Sequence, residues 1–178
     1  MATDGVRHAV FFYGTLKRGF YNYEAVVAPC GDGAVFQQLA RTAQRYPLFV
    51  DHYKVPYLVD RPGDGHPISG ELFSVDDAAL AALDELEGVA AGRYTRRKIE
   101  VELLPPAGAD DGAAADSAGG GGGGSSDAWL YCIKTVPELE KRGALLPVYS
   151  AEVHADYVPK AGRDETLKQP WGGYEARL

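Results

Sequence analysis

Only two cysteines, Cys30 and Cys132, occur in 178 residues. That is too few for a disulfide framework and suits a reducing compartment. Cys132 lies in an apolar run and is expected in the core. Basic residues are also scarce: 18 Lys and Arg against 25 Asp and Glu leave a formal net charge of −7. A surface for nucleic acid or for an anionic membrane would need the opposite balance. No apolar run approaches the roughly 20 residues of a membrane span. Met1 to His8 carry no apolar signal region, so the expected location is the cytoplasm. The four histidines, His8, His52, His66 and His154, stand singly, without the paired spacing of metal ligands, and no metal or other cofactor is expected. A Gly-x-Ser-x-Gly elbow and a dinucleotide fingerprint are both missing, and no local signature marks Cys30 as a nucleophile. What remains for chemistry is proton transfer by a carboxylate beside a backbone anion site.

The length fits one domain over residues 1–178 with a sizeable core. Within it, Asp76 to Gly88 reads as one short helix. Ser74 followed by Asp77 has the form of a capping box, Asp76 and Asp77 favour the positive end of the dipole, and Gly88 occupies the left-handed stop position. The interior is Ala and Leu, strong helix formers. Glu87 stands seven residues after Leu80 and four after Leu83, so helical geometry returns it to their inward face, while Glu85 points away and Asp84 flanks the stripe. Burial and the negative end of the dipole would both raise its pKa, as a group that must take and then return a proton requires. Spacing alone leaves a second reading open, a frayed last turn with Glu87 in water.

His8 to Tyr13 is a compact apolar run, read as a buried first strand. It stops at Gly14-Thr15-Leu16-Lys17-Arg18-Gly19. A strand entering such a turn leaves amide N–H groups without ladder partners, and these can form an anion-binding nest; an ordinary strand–turn is the other reading. Lys17 and Arg18 are expected in solvent. Asn22 to Ala28 reads as a short helix and Cys30 to Gly33 as a turn. Val35 to Val50 has strand character broken at Pro47, and Val55 to Val59 is a short strand that Pro56 assigns to an edge or bulge. Pro67 to Ser74 alternates and feeds the Glu87 helix. Ile99, Val101 and Leu103 alternate with Lys98, Glu100 and Glu102 in a half-exposed strand over 96–104. Residues 105–127, rich in Gly, Ala and Asp, cannot bury apolar surface and are read as a flexible insertion between that strand and another over Ala128 to Lys134. Tyr149 to Val158 has helical spacing, with Ser150 as N-cap and Pro159 as stop. Trp171 and Tyr174 are read as pinning a polar tail to the body.

Taken together, Tyr13 to Gly19, Arg45-Tyr46-Pro47-Leu48, Gly70-Glu71-Leu72-Phe73 and Leu83 to Gly88, followed by Tyr94 and Arg96, resemble the γ-glutamylcyclotransferase superfamily, in particular its γ-glutamylamine branch and the plant avirulence-induced-gene-like proteins. The resemblance covers about residues 8–104 well. It implies an α+β fold, a small mixed β-barrel with flanking helices. The implied reaction is attack of a γ-glutamyl group's α-amine on its own γ-carbonyl, which yields 5-oxoproline and a free amine. It also implies substrate binding by Tyr13, Gly14, Thr15 and Leu16, catalysis by Glu87, and a small-molecule γ-glutamyl substrate as the partner. Tyr46 and Tyr94 could serve as wall residues, with simple packing the favoured reading. Glutathione-specific relatives carry Ser at the position of Thr15, which disfavours glutathione here. Two other readings stand beside this one: a catalytically silent small-molecule binding module of the same fold, and an interaction protein that uses the glycine-rich insertion.

Overall fold

The computed structural model describes residues 5–105, 124–141 and 144–163. Most of the insertion expected at 105–127, with Trp171 and Tyr174 of the tail, lies outside the described residues. Strand β1 is His8–Phe12. A π-helical turn, Tyr23–Val27, and a 3-10 helix, Ala28–Gly33, follow where a short helix and a turn were expected. The chain then forms β2 (Ala34–Tyr46), β3 (Leu48–Val50), β4 (Pro56–Leu58) and β5 (His66–Val75). Helix α1 is Asp77–Glu87; β6 (Thr95–Leu103) and β7 (Ser125–Cys132) come next. Two short helices, α2 (Pro137–Glu140) and α3 (Ala151–His154), complete the described elements with a 3-10 turn at Lys160–Gly162.

Five strands close into a barrel in the order β1-β5-β2-β6-β7, and β3 and β4 form a separate hairpin. All barrel pairs are antiparallel except β1 with β7, which closes the barrel in parallel at Val10 and Trp129. This is the small mixed barrel with flanking helices that was expected. The thirteen residues of β2 serve both β5 and β6 because register shifts between Phe36 and Gln38 and between Arg41 and Arg45 let the strand bend. Pro47 interrupts the run before β3, and Pro56 is the first residue of β4, a position in a strand that tolerates its missing N–H.

Because successive side chains of a strand face opposite ways, β1 joins two apolar layers. Val10 and Phe12 pack with Leu80, Leu83 and Phe73 in one, while Phe11 and Tyr13 pack with Ile68, Leu72 and Leu130 in the other. Cys132 is fully buried in the second. On β6, Ile99 and Val101 are buried while Lys98, Glu100 and Glu102 are not, as the alternation requires; Glu102 pairs across to Arg41 at 2.6 Å.

Three boundaries differ from expectation. The cap of α1 is Asp76, whose side chain accepts from the Ala79 N–H, and not Ser74. Strand β5 runs on to Val75, which pairs with both His8 and Ala34, so Asp76 is the first residue clear of the ladder. Ser74 instead accepts hydrogen bonds from the Arg7 guanidinium. Helix α3 keeps the Ser150 cap but ends at His154, well short of Val158. The His154 ring stacks on Phe20 at 4.3 Å and accepts the Tyr21 N–H at 3.0 Å, contacts 133 and 134 residues back along the chain that hold its side chain toward the barrel. The strand after the insertion begins at Ser125, three residues before Ala128, because Glu102 to Ile99 offer it partners.

Candidate active site

The amphipathic spacing of α1 buries Ala79, Leu80 and Leu83 against the barrel, and Glu87 follows on the same face. Its last turn is not frayed. Gly88 adopts φ 64°, and its N–H donates to Asp84 and Glu85 while the Val89 N–H reaches Asp84 at 3.0 Å, closing the helix in a left-handed stop. The chain then folds back on itself, with the N–H groups of Ala91 and Arg93 both donating to the Gly88 carbonyl. Glu87 is thus held by backbone on both sides. Its half-buried side chain opens into a cavity, and among the described residues no hydrogen bond or ion pair to the carboxylate is found. Desolvation by the surrounding protein raises its pKa from 4.5 to about 7, against a smaller opposing pull from Arg93.

Facing this cavity is the turn after β1. The Lys17 N–H donates to the Gly14 carbonyl and the Tyr23 N–H to the Thr15 carbonyl, each at 3.1 Å, so the carbonyls are engaged by the chain that follows. The amide N–H groups of Gly14, Thr15 and Leu16 donate to no acceptor among the described residues. Glycine at 14 has a steric cause: a Cβ there would lie 2.7 Å from Pro56 Cγ. Thr15 Oγ1 accepts from Asn22 at 2.7 Å, and Leu16 is buried in the core, which fixes both ends of the turn.

Arg18 is exposed as expected, whereas Lys17 is half-buried, and both are held by partners. The Lys17 ammonium donates to the Tyr149 carbonyl at 2.6 Å, and Arg18 donates to buried Glu71 through its backbone N–H (2.9 Å) and its Nε (3.1 Å). Glu71, 53 residues away in sequence, therefore anchors the turn from behind. Glu71→Ala leaves the Arg18 amide and guanidinium without this acceptor and should lower stability by about 1–3 kcal/mol in urea unfolding, whereas Glu71→Gln, which keeps a carbonyl oxygen, should recover part of the loss.

Tyrosines supply much of the remaining wall. Tyr13 donates its phenol to the Tyr131 carbonyl at 3.0 Å, and Tyr131 donates to Asp84 at 2.7 Å. Asp84 also binds Arg96 at 2.7 Å, so the end of α1 is braced against β6 and β7. Burial holds the pKa values of Tyr13 and Tyr94 well above 10, with Glu87 adding to both shifts. These phenols therefore stay neutral. Tyr94 lines the cavity, whereas Tyr46 packs among barrel residues, the reading favoured for both. Tyr57 and Tyr131 also line it and were not singled out from the sequence. Their only sequence signal is that each sits in a short apolar run.

The cavity has a volume of about 1150 Å³. Tyr13, Gly14, Thr15, Leu16 and Glu87 all line it, so the fold brings the five expected site residues to one place. The profile of a family described as "Gamma-glutamyl cyclotransferase, AIG2-like" matches residues 10–151. The chain belongs to this family. Within it, the chain is 42% identical over 101 residues to an Arabidopsis thaliana protein named for γ-glutamylcyclotransferase, a stretch covering 56% of this chain and 54% of the relative. It is 35% identical over 101 residues to the γ-glutamylaminecyclotransferase of Rattus norvegicus, covering 56% of this chain and 67% of that one. The matched stretch thus spans between about half and two thirds of these relatives' own lengths. The crystal structure of an AIG2-like protein from Mus musculus superposes with a TM-score of 0.70 at 26% identity, covering 88% of this chain and 99% of that one. The cyclotransferase family fold and the barrel described above are the same architecture.

Proposed function

We propose that this member of the family is a γ-glutamylamine cyclotransferase in which Glu87 moves the protons and the Gly14–Leu16 amides hold the substrate. The reading is carried by one juxtaposition. A carboxylate with no hydrogen-bond partner among the described residues shares a cavity with a turn whose amide N–H groups are likewise uncommitted. Three oriented amides suit the substrate's α-carboxylate, the Tyr13 side chain closing the turn's approach. With that end fixed, the neighbouring α-ammonium lies within reach of its own γ-carbonyl, and orientation supplies much of the rate.

Glu87 takes a proton from the ammonium, and the freed amine attacks the γ-carbonyl carbon. The new C–N bond closes the five-membered ring. As the tetrahedral centre collapses, the bond to the leaving nitrogen breaks and that nitrogen receives its proton from Glu87. The attacking nitrogen loses two hydrogens in all and the leaving nitrogen gains two, so Glu87 ends the cycle as it began. A carboxyl group with a pKa near neutrality is suited to both transfers.

The activity is tested by 5-oxoproline release from ε-(γ-glutamyl)lysine and from glutathione. Release from the lysine conjugate, with glutathione the poorer substrate, is the expected result. A folded protein that releases 5-oxoproline from neither would favour the silent binding module. The same assay gives a pH test. The base form of Glu87 is the active one, so kcat/KM should fall tenfold per unit well below pH 7 and level off above it. A profile flat from pH 5 to 8 would exclude Glu87 as the group that titrates.

A further inference from the structure

One wall of the cavity is made by Tyr157, Pro159, Lys160, Ala161 and Arg163, residues that lie beyond the family match, which ends at 151. The charge balance of the cavity reverses that of the chain. Four cations among the described residues, Arg93, Lys134, Lys160 and Arg163, line it against two carboxylates, Glu85 and Glu87, although acids outnumber bases 25 to 18 in the full chain. Among the described residues, no ion pair engages any of the four. Arg93 acts on Glu87. Arg163 is the best held of the others: half-buried, with Nε donating to the Val158 carbonyl at 2.9 Å and Nη2 to the Tyr157 hydroxyl at 3.2 Å. Its guanidinium also lies 5.6 Å from the Tyr157 ring and 5.9 Å from that of Tyr53. A guanidinium fixed by neutral partners, with no carboxylate paired to it among the described residues, is a prepared site for an anion.

We infer that Arg163, with Lys160 and Lys134 beside the same cavity, forms a leaving-group subsite for amines that carry a carboxylate. The inference rests on the cyclotransferase reading and extends it to the half of the substrate that is released. In that reading the glutamyl carboxylate goes to the Gly14–Leu16 amides, so the cations have a different anion to bind. A leaving group that is only cationic, as in a conjugated polyamine, meets repulsion at this wall.

The test compares ε-(γ-glutamyl)lysine with γ-glutamylcadaverine, the same conjugate without the carboxylate on its amine. The wild type should favour the lysine conjugate in kcat/KM by about tenfold or more, the scale of one charge-assisted hydrogen bond. Arg163→Gln should raise KM for the lysine conjugate and leave its kcat in place, removing most of the preference; Arg163→Lys should keep part of it. Turnover of the cadaverine conjugate serves as the folding control. Equal kcat/KM for the two substrates in the wild type would overturn the subsite. So would a variant that loses both activities alike, because the cation would then serve the glutamyl end or the wall itself. Release from neither conjugate by the folded wild type would instead overturn the cyclotransferase reading, and the subsite with it.

Discussion

Glu87→Gln should lower 5-oxoproline release by about a thousandfold or more, within the range for loss of a general acid–base, while the protein stays folded. Glutamine preserves the side chain's shape and removes only its capacity to exchange a proton. The variant should also be the more stable protein at alkaline pH. The folded pKa of Glu87, about 7, stands above the ordinary 4.5, so the folded state binds the proton more tightly than the unfolded chain does. Its contribution to stability is fully present below 4.5 and is lost as the pH rises through 7, a swing of at most about 3 kcal/mol. Gln carries no such dependence. Thermal unfolding at pH 8 should therefore show the variant melting above the wild type by several degrees, with the gap shrinking toward pH 5. An inactive variant that is more stable than its parent is the signature of a group held for catalysis. A variant that keeps a tenth or more of the activity would remove Glu87 from the mechanism.

Gly70→Ala should be among the most damaging single methyl additions in the barrel. A Cβ at Gly70 would lie 2.4 Å from the Phe12 carbonyl oxygen and 2.6 Å from the Phe11 ring. The ring has no room to swing aside because Phe11 is buried, and the carbonyl belongs to the backbone of β1. Relief therefore requires β1 to move away from β5, to which it pairs through Phe12 and Glu71. Overpacking of this kind costs about 1–3 kcal/mol, and a backbone obstacle places the expected loss at the upper end. The displacement also reaches the site, because β1 leads directly into Tyr13 and the Gly14 turn. A lower urea midpoint together with a raised KM is the expected result. An unchanged midpoint would mean that β1 and β5 are not packed this closely.

Much of this site was legible because its parts are local. The inward placement of Glu87 follows from its spacing to Leu80 and Leu83, and the helix stop follows from Gly88. The end of β1 is marked by Gly14 after an unbroken apolar run. Each of these depends on a few neighbouring residues and on the periodicity of one element. Other features depend on residues brought together across the chain. The sequence could not choose between a buried and a frayed Glu87, since that depends on the return of residues 88–93 and on Tyr13 and Tyr94 around the cavity. The Asp76 cap required knowing that Val75 is still engaged by two strands. Lys17 and Arg18 read as surface cations until Tyr149 and Glu71 arrive beside them. The cationic wall at Arg163 is set by docking of the segment after α3.

By itself, then, the sequence determined the family, the main strands and the inward placement of Glu87 on its helix. The tertiary structure alone decided the environment of that residue, the support behind the Gly14–Leu16 turn and the charge of the cavity wall at Arg163. The physical reason is range: periodicity and capping act within one or two turns of chain, whereas desolvation and charge recognition depend on every segment that reaches the same cavity.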